Sequence, residues 1–134
     1  MRKDIPELIV EDIAVAVIPE LNEKGESGWN VYVINLKNEL IEGVLVSSTG
    51  YGEHKGEHVK TSILRHFLDV LPANSYCKVE PIMENLFGLN NEYWLSFYLN
   101  GDMYDKKYIF LPDTIQEKYF TNVPLINKPG VMIK

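Results

Sequence analysis

Apolar residues along this chain recur mostly at every second position, a period that predicts strands rather than helices. A first strand is expected over 13–18, where Ile13, Val15 and Val17 alternate with Ala14, Ala16 and Ile18. Pro19, which has no N–H to give a ladder, is expected to stop it. Residues 22–28 are polar and read as a loop. A second strand follows over 29–36, with Trp29, Val31 and Val33 on one face and Asn30, Tyr32 and Ile34 on the other. Residues 37–39 turn the chain, and 40–48 return as a third strand. Glycines at 50, 52 and 56 predict a long exposed loop over 49–57.

Residues 61–71 carry two patterns at once. Ile63, Leu64, Phe67, Leu68 and Leu71 fit a helical stripe, and the same run also supports alternation. A strand is preferred, because the next run, 76–82, alternates and would pair with a neighbour across the turn chemistry of Pro72-Ala73-Asn74-Ser75. One helical turn ended by Gly88 fits 84–89. The strongest local signal lies at 93–99 and 102–111, two apolar-rich runs joined by Asn100-Gly101. Asn-Gly is favoured in type I′ turns, where both central residues need positive φ, so a tight hairpin is predicted. A strict two-residue turn sets Lys106 opposite Leu95 on a face otherwise rich in aromatics. Either the lysine snorkels or a bulge shifts the register. Asp113 and Gln116 have capping-box spacing for a short helix, and 123–134 reads as an irregular or short-stranded tail.

These elements predict an all-β or β-dominated fold, an antiparallel immunoglobulin-like sandwich of about seven strands with one or two short helices. One domain over 1–134 is expected, since 134 residues can bury a proper core without staples. The hallmark Cys…Trp…Cys pattern of antibody domains is absent. Eight Tyr, five Phe and two Trp strengthen the leaning toward strands.

Thirteen Lys and Arg stand against nineteen Asp and Glu, a net charge of −6. A nucleic-acid binder needs clustered cations to displace counterions from phosphates. Here the basic residues are scattered, and the densest pair, Lys106-Lys107, follows Asp105. Nucleic acid and anionic membrane are therefore disfavoured as partners. No stretch approaches the ~20 apolar residues that span a bilayer, and acidic residues interrupt the first dozen positions where a signal peptide would run. A single cysteine, Cys77, allows no internal disulfide, which fits the reducing cytosol. A cytoplasmic location is expected.

His54, Glu57 and His58 match the H-x-x-E-H spacing of inverted zinc peptidases. That chemistry needs both histidines one helical turn apart and aimed at one ion, with the glutamate beside the bound water. The surrounding glycines oppose a helix, so a solvated loop is the expected reading and the metal site the competing one. His66 could add a third imidazole; a structural role is favoured for it, as for Cys77. Phosphate-cradling and nucleotide-binding glycine patterns and the G-x-S-x-G elbow are absent, and no cofactor is implied.

Trp94, Ser96 and Tyr98 share one face of their strand, with Tyr93, Leu95, Phe97 and Leu99 on the other. Such a strand is either covered on both sides or presents one face for recognition. Trp94 and Tyr98 are accordingly the candidate binding surface. The function expected is a non-catalytic binding or protein-interaction module, meeting a protein partner or a second copy of itself. Competing expectations are a metal-dependent hydrolase using His54, Glu57 and His58, and a structural subunit of a larger assembly.

At Trp29-Asn30-Val31-Tyr32, at Lys60-Thr61-Ser62 with Leu64-Arg65-His66, and at Asp105-Lys106-Lys107 with Ile109-Phe110, the chain resembles a family of short uncharacterised bacterial proteins. The likeness runs over most of the chain. Some members carry a phenylalanyl-tRNA synthetase subunit label, which this acidic chain, too short for a synthetase catalytic domain, does not support. The resemblance implies no activity and identifies no site.

Overall fold

β-branched residues at alternate positions set the opening strands, and the computed structural model, which describes residues 8–134, shows where each face goes. Its strands are β1 (Ile13–Leu21), β2 (Ser27–Asn35), β3 (Ile41–His54), β4 (Glu57–Lys60) and β5 (Leu64–Leu71). They continue as β6 (Ser75–Ile82), β7 (Asn90–Leu99), β8 (Asp102–Phe110), β9 (Thr121–Val123) and β10 (Lys128–Ile133). The fold is β-dominated, with only short 3-10 turns at Glu84–Leu86 and Glu117–Tyr119 among the described residues. Ten strands among the described residues thus replace the seven or so expected, because segments read as loop or tail also pair.

Two antiparallel sheets result. The first has the order β6-β2-β1-β10-β9. The second has β3 at its heart, with β7 then β8 on one edge; β5 lies along 41–48 of its other edge and β4 along 51–54. One apolar cluster joins their inner faces: Val15, Val17, Val31 and Val33 from the first sheet, with Val46, Leu95, Phe97 and Tyr108 from the second. The Tyr108 hydroxyl donates to the Ile13 carbonyl at 2.7 Å, tying one sheet to the other inside the core.

Two of the four connections between the sheets meet at one buried side chain. The Asn35 amide nitrogen donates to the carbonyls of Glu39, Leu71 and Pro72, and its oxygen accepts from the Lys37 N–H at 3.0 Å. A single amide thereby fixes both the β2–β3 and β5–β6 crossings, satisfying backbone groups that a buried loop would otherwise leave unpaired. The preferred strand at 61–71 is present as β5, but it and β6 lie in different sheets, so 72–74 crosses between layers rather than closing a hairpin.

Three local expectations are corrected. β1 runs through Pro19 to Leu21; β10 pairs only with Val15, Ala16 and Val17, so one edge at the proline has no ladder to lose. Residues 49–57 are not a long loop: β3 continues to His54 and turns at Lys55-Gly56, whose φ values of 52° and 79° make a two-residue hairpin into β4. Asp113 caps no helix; the Gln116 side chain instead donates to the Asp113 carbonyl, and Gln116 itself precedes the second 3-10 turn without a side-chain cap.

The Asn100-Gly101 hairpin forms as read, with φ of 52° and 81°. Its register is strict, Leu95 opposite Lys106, with no bulge. The lysine snorkels, placing its Nζ 5.0 Å from the Tyr108 ring centroid.

Candidate functional site

Pairing in the second sheet sorts β7 into two faces. Tyr93 and Phe97 lie inward at 2% and 0% exposure, whereas Trp94 and Tyr98 lie outward at 43% and 48%. On the same outer face, register places two neighbouring rows across four strands. One reads Arg65, Ser47, Trp94, Lys107 and the other Phe67, Leu45, Ser96, Asp105. Met103, opposite Tyr98, extends the apolar surface, and both Phe67 and Met103 are more than half exposed.

These side chains are held in place. The Trp94 indole N–H donates to the Asp105 carboxylate at 3.2 Å, and Lys107 Nζ sits 4.5 Å from the indole centroid. Tyr98 rests on Gly43, whose φ of 57° goes with a bulge in β3; a Cβ built there would come within 3.0 Å of the tyrosine ring. Between Trp94 and Met103 the small side chains of Ser47 and Ser96 leave a hollow of about 190 Å³. The surface is therefore a fixed, largely apolar platform with a central dip and charges of both signs at its edge.

A second cluster lies at the mouth between the sheets. Glu80 of β6 accepts from Ser48 at 2.8 Å and from His66 Nε2 at 2.6 Å on one oxygen, and from the Tyr93 hydroxyl at 3.3 Å on the other. A carboxylate oxygen can only accept, so the imidazole carries a proton on Nε2. Burial, helped by the Glu80 charge, pushes the Tyr93 phenol well above its usual value and keeps it a donor. The group borders a cleft of about 350 Å³ whose lining includes Thr61, Leu64, Pro81, Ile82 and Met83. It contains a serine, a histidine and a glutamate, yet the serine hydroxyl points to the carboxylate and not to the imidazole. Nothing in that arrangement activates the serine as a nucleophile. The carboxylate instead fastens three strands of the second sheet to an edge strand of the first.

His54, Glu57 and His58 sit at the tip of the β3–β4 hairpin. His54 pairs with Glu57, and Glu53 with His58, so the two histidines leave the ribbon on opposite faces. That pairing does not supply the one-face histidine geometry the H-x-x-E-H chemistry requires, and no group of three or more His, Cys, Asp or Glu positioned to hold a metal occurs among the described residues. Cys77 packs its side chain partly against the core.

The Glu80 cluster escaped the sequence reading, because its four members come from four strands in two sheets. The one available hint was a lone acid, Glu80, following Val79 in an otherwise alternating strand.

The fold and these sites define a two-sheet, antiparallel β protein. No helix among the described residues is long and apolar enough to cross a membrane. Comparison with protein-family models, with curated proteins and with solved structures finds no match.

Proposed function

We propose that this chain is a non-catalytic interaction module, and that it meets a protein partner through the outer face of the second sheet around Trp94 and Tyr98. The observation that carries this reading is the open platform of Trp94, Tyr98, Phe67 and Met103, each 43% exposed or more on one sheet face. Contiguous apolar surface of this kind is costly to leave in water and is a mark of interaction sites, and Trp and Tyr are enriched among residues that dominate binding energy. The immunoglobulin-like arrangement belongs to the same proposal. Two antiparallel sheets around one core support it, as does a free face framed by hairpins. A reducing, cytoplasmic setting is supported by the single free cysteine, Cys77.

Hydroxyl-radical footprinting tests the reading. Trp94, Tyr98 and Met103 should react readily in dilute purified protein and be protected in fresh native lysate. Replacing Trp94 and Tyr98 together by Ser should abolish protection at Met103 while the circular dichroism spectrum and melting temperature hold. A variant that unfolds, or a face that reacts readily in both settings, counts against the module.

A further inference from the structure

We infer that the occupant of the platform is a second copy of this chain, seated face to face about a two-fold axis. The inference rests on the interaction-module reading and adds the identity of the partner.

The case lies in how the two rows complement each other. A closed dimer uses the same patch on both copies, so the patch must fit itself after a half-turn. For a sheet face, place the axis in the plane of the interface, perpendicular to the strands and midway between the Trp94 and Ser96 rows. The half-turn exchanges the rows. Trp94 then stands over the partner's Ser96, a large side chain over a small one, and Leu45 stands over the partner's Ser47. Lys107 stands over the partner's Asp105, opposite charges meeting twice across the axis. Arg65 stands over the partner's Phe67, a cation against an aromatic ring.

Rows further out obey the same operation. Glu92 pairs with Thr49 and Ile109 on one side, and Tyr98 pairs with Glu42 and Met103 on the other, so that Glu42 faces the partner's Thr49. After the half-turn the Tyr98 hydroxyl meets the partner's Glu92 carboxylate, and Met103 meets the partner's Ile109. No like charges are opposed in any of these rows.

Shape points the same way. The hollow of about 190 Å³ over Ser47 and Ser96 lies beside the half-exposed Trp94 ring, and the half-turn sets that ring on the partner's hollow. The two indoles would come together at the axis in an offset arrangement, the geometry aromatic pairs prefer. Fixing by Asp105 and Lys107 means that little side-chain freedom is lost on association. The alternative axis, parallel to the strands, sets Arg65 over the partner's Lys107 and Phe67 over Asp105, and fails on charge.

The test is sedimentation equilibrium of the purified full chain. Wild type should be a dimer, and Lys107→Asp or Asp105→Lys alone should weaken it roughly tenfold or more. The double variant Lys107→Asp/Asp105→Lys should recover most of that loss, because the exchanged charges still meet across the axis. Ser96→Trp, which fills both hollows, should give a folded monomer by circular dichroism. A wild-type monomer at the highest soluble concentration overturns the inference, as does a dimer in which the double variant associates no better than the worse single. A purified monomer whose Trp94 face is nonetheless protected in lysate removes the dimer and leaves the module. A face protected in neither setting removes both.

Discussion

On the outer face of the first sheet Ala14, Ala16, Ile18, Tyr32 and Ile34 are sealed from water, whereas on the outer face of the second sheet Trp94 and Tyr98 stand half in solvent. Both faces derive from strands that are apolar on two sides, 13–18 and 93–99. The difference comes from what the rest of the chain lays over them. Val123, Ile126 and Met132 from the β9–β10 hairpin pack with the alanines on that face. Glu20 then forms a polar lid on that face, accepting from Tyr32 at 2.6 Å, from Asn30 at 2.9 Å and from Lys128 at 2.6 Å. Among the described residues no segment crosses Trp94 in the same way, and its neighbours Ser47 and Ser96 leave a dip where a cover would need a knob. Two-sided apolarity is thus satisfied from within in one sheet and left open in the other.

The sharpest way to break this contrast is to truncate large side chains on each surface and measure urea unfolding. Phe97→Ala, inside the core, should cost about 3–5 kcal/mol, and Ile34→Ala on the covered outer face about 2–5 kcal/mol. Trp94→Ser, on the open face, should cost less than about 1 kcal/mol in protein dilute enough to be monomeric. A cost at Trp94 equal to that at Ile34 would mean the second face is covered too.

Gly130 probes the cover itself. A Cβ there would come within 2.7 Å of the Val17 carbonyl oxygen and 2.9 Å of the Ile18 side chain, with β10 directly against β1. Gly130→Ala should therefore push the strands apart at a cost of about 1–3 kcal/mol. Amide exchange should speed up in β1 and β10 and remain unchanged in β7.

The smallest effect concerns the lid. Burial pushes the Glu20 carboxyl up, but hydrogen bonds from Lys128, Tyr32 and Asn30 and the lysine charge outweigh it and leave the group below its ordinary value of 4.5. A carboxylate depressed on folding stabilises fully above its unfolded value, and that contribution is lost as the pH falls through the folded one. Thermal melts of wild type should therefore decline more steeply below about pH 5 than those of Glu20→Gln, with the two curves converging in acid. Parallel curves would remove the carboxylate from the lid.

How much of this was legible follows from how local each signal is. The Asn100-Gly101 hairpin was readable to the residue, since two adjacent side chains dictate its positive φ angles. Lys55-Gly56 makes the same turn but lacks the asparagine, and glycines 50 and 52 disguised a strand as a loop. β10 was obscured by Pro129-Gly130, although that glycine is what lets the strand lie against β1. The candidate platform was half legible. Sequence placed Trp94 and Tyr98 on one face, but Phe67 and Met103 join them only through pairings of β5 with β3 and β8 with β7. Which face would be covered was set by residues 123–132, far along the chain from both strands.

The place of β10 between β1 and β9 also sets an order of events at the ribosome. While the nascent chain is growing, β1 has β2 at one side and a bare edge at the other until residues 128–133 emerge. Such an edge, flanked by Ile13, Val15 and Val17, invites strand pairing with other chains. Synthesis of this protein should accordingly leave that edge open to wrong pairing until β10 is released.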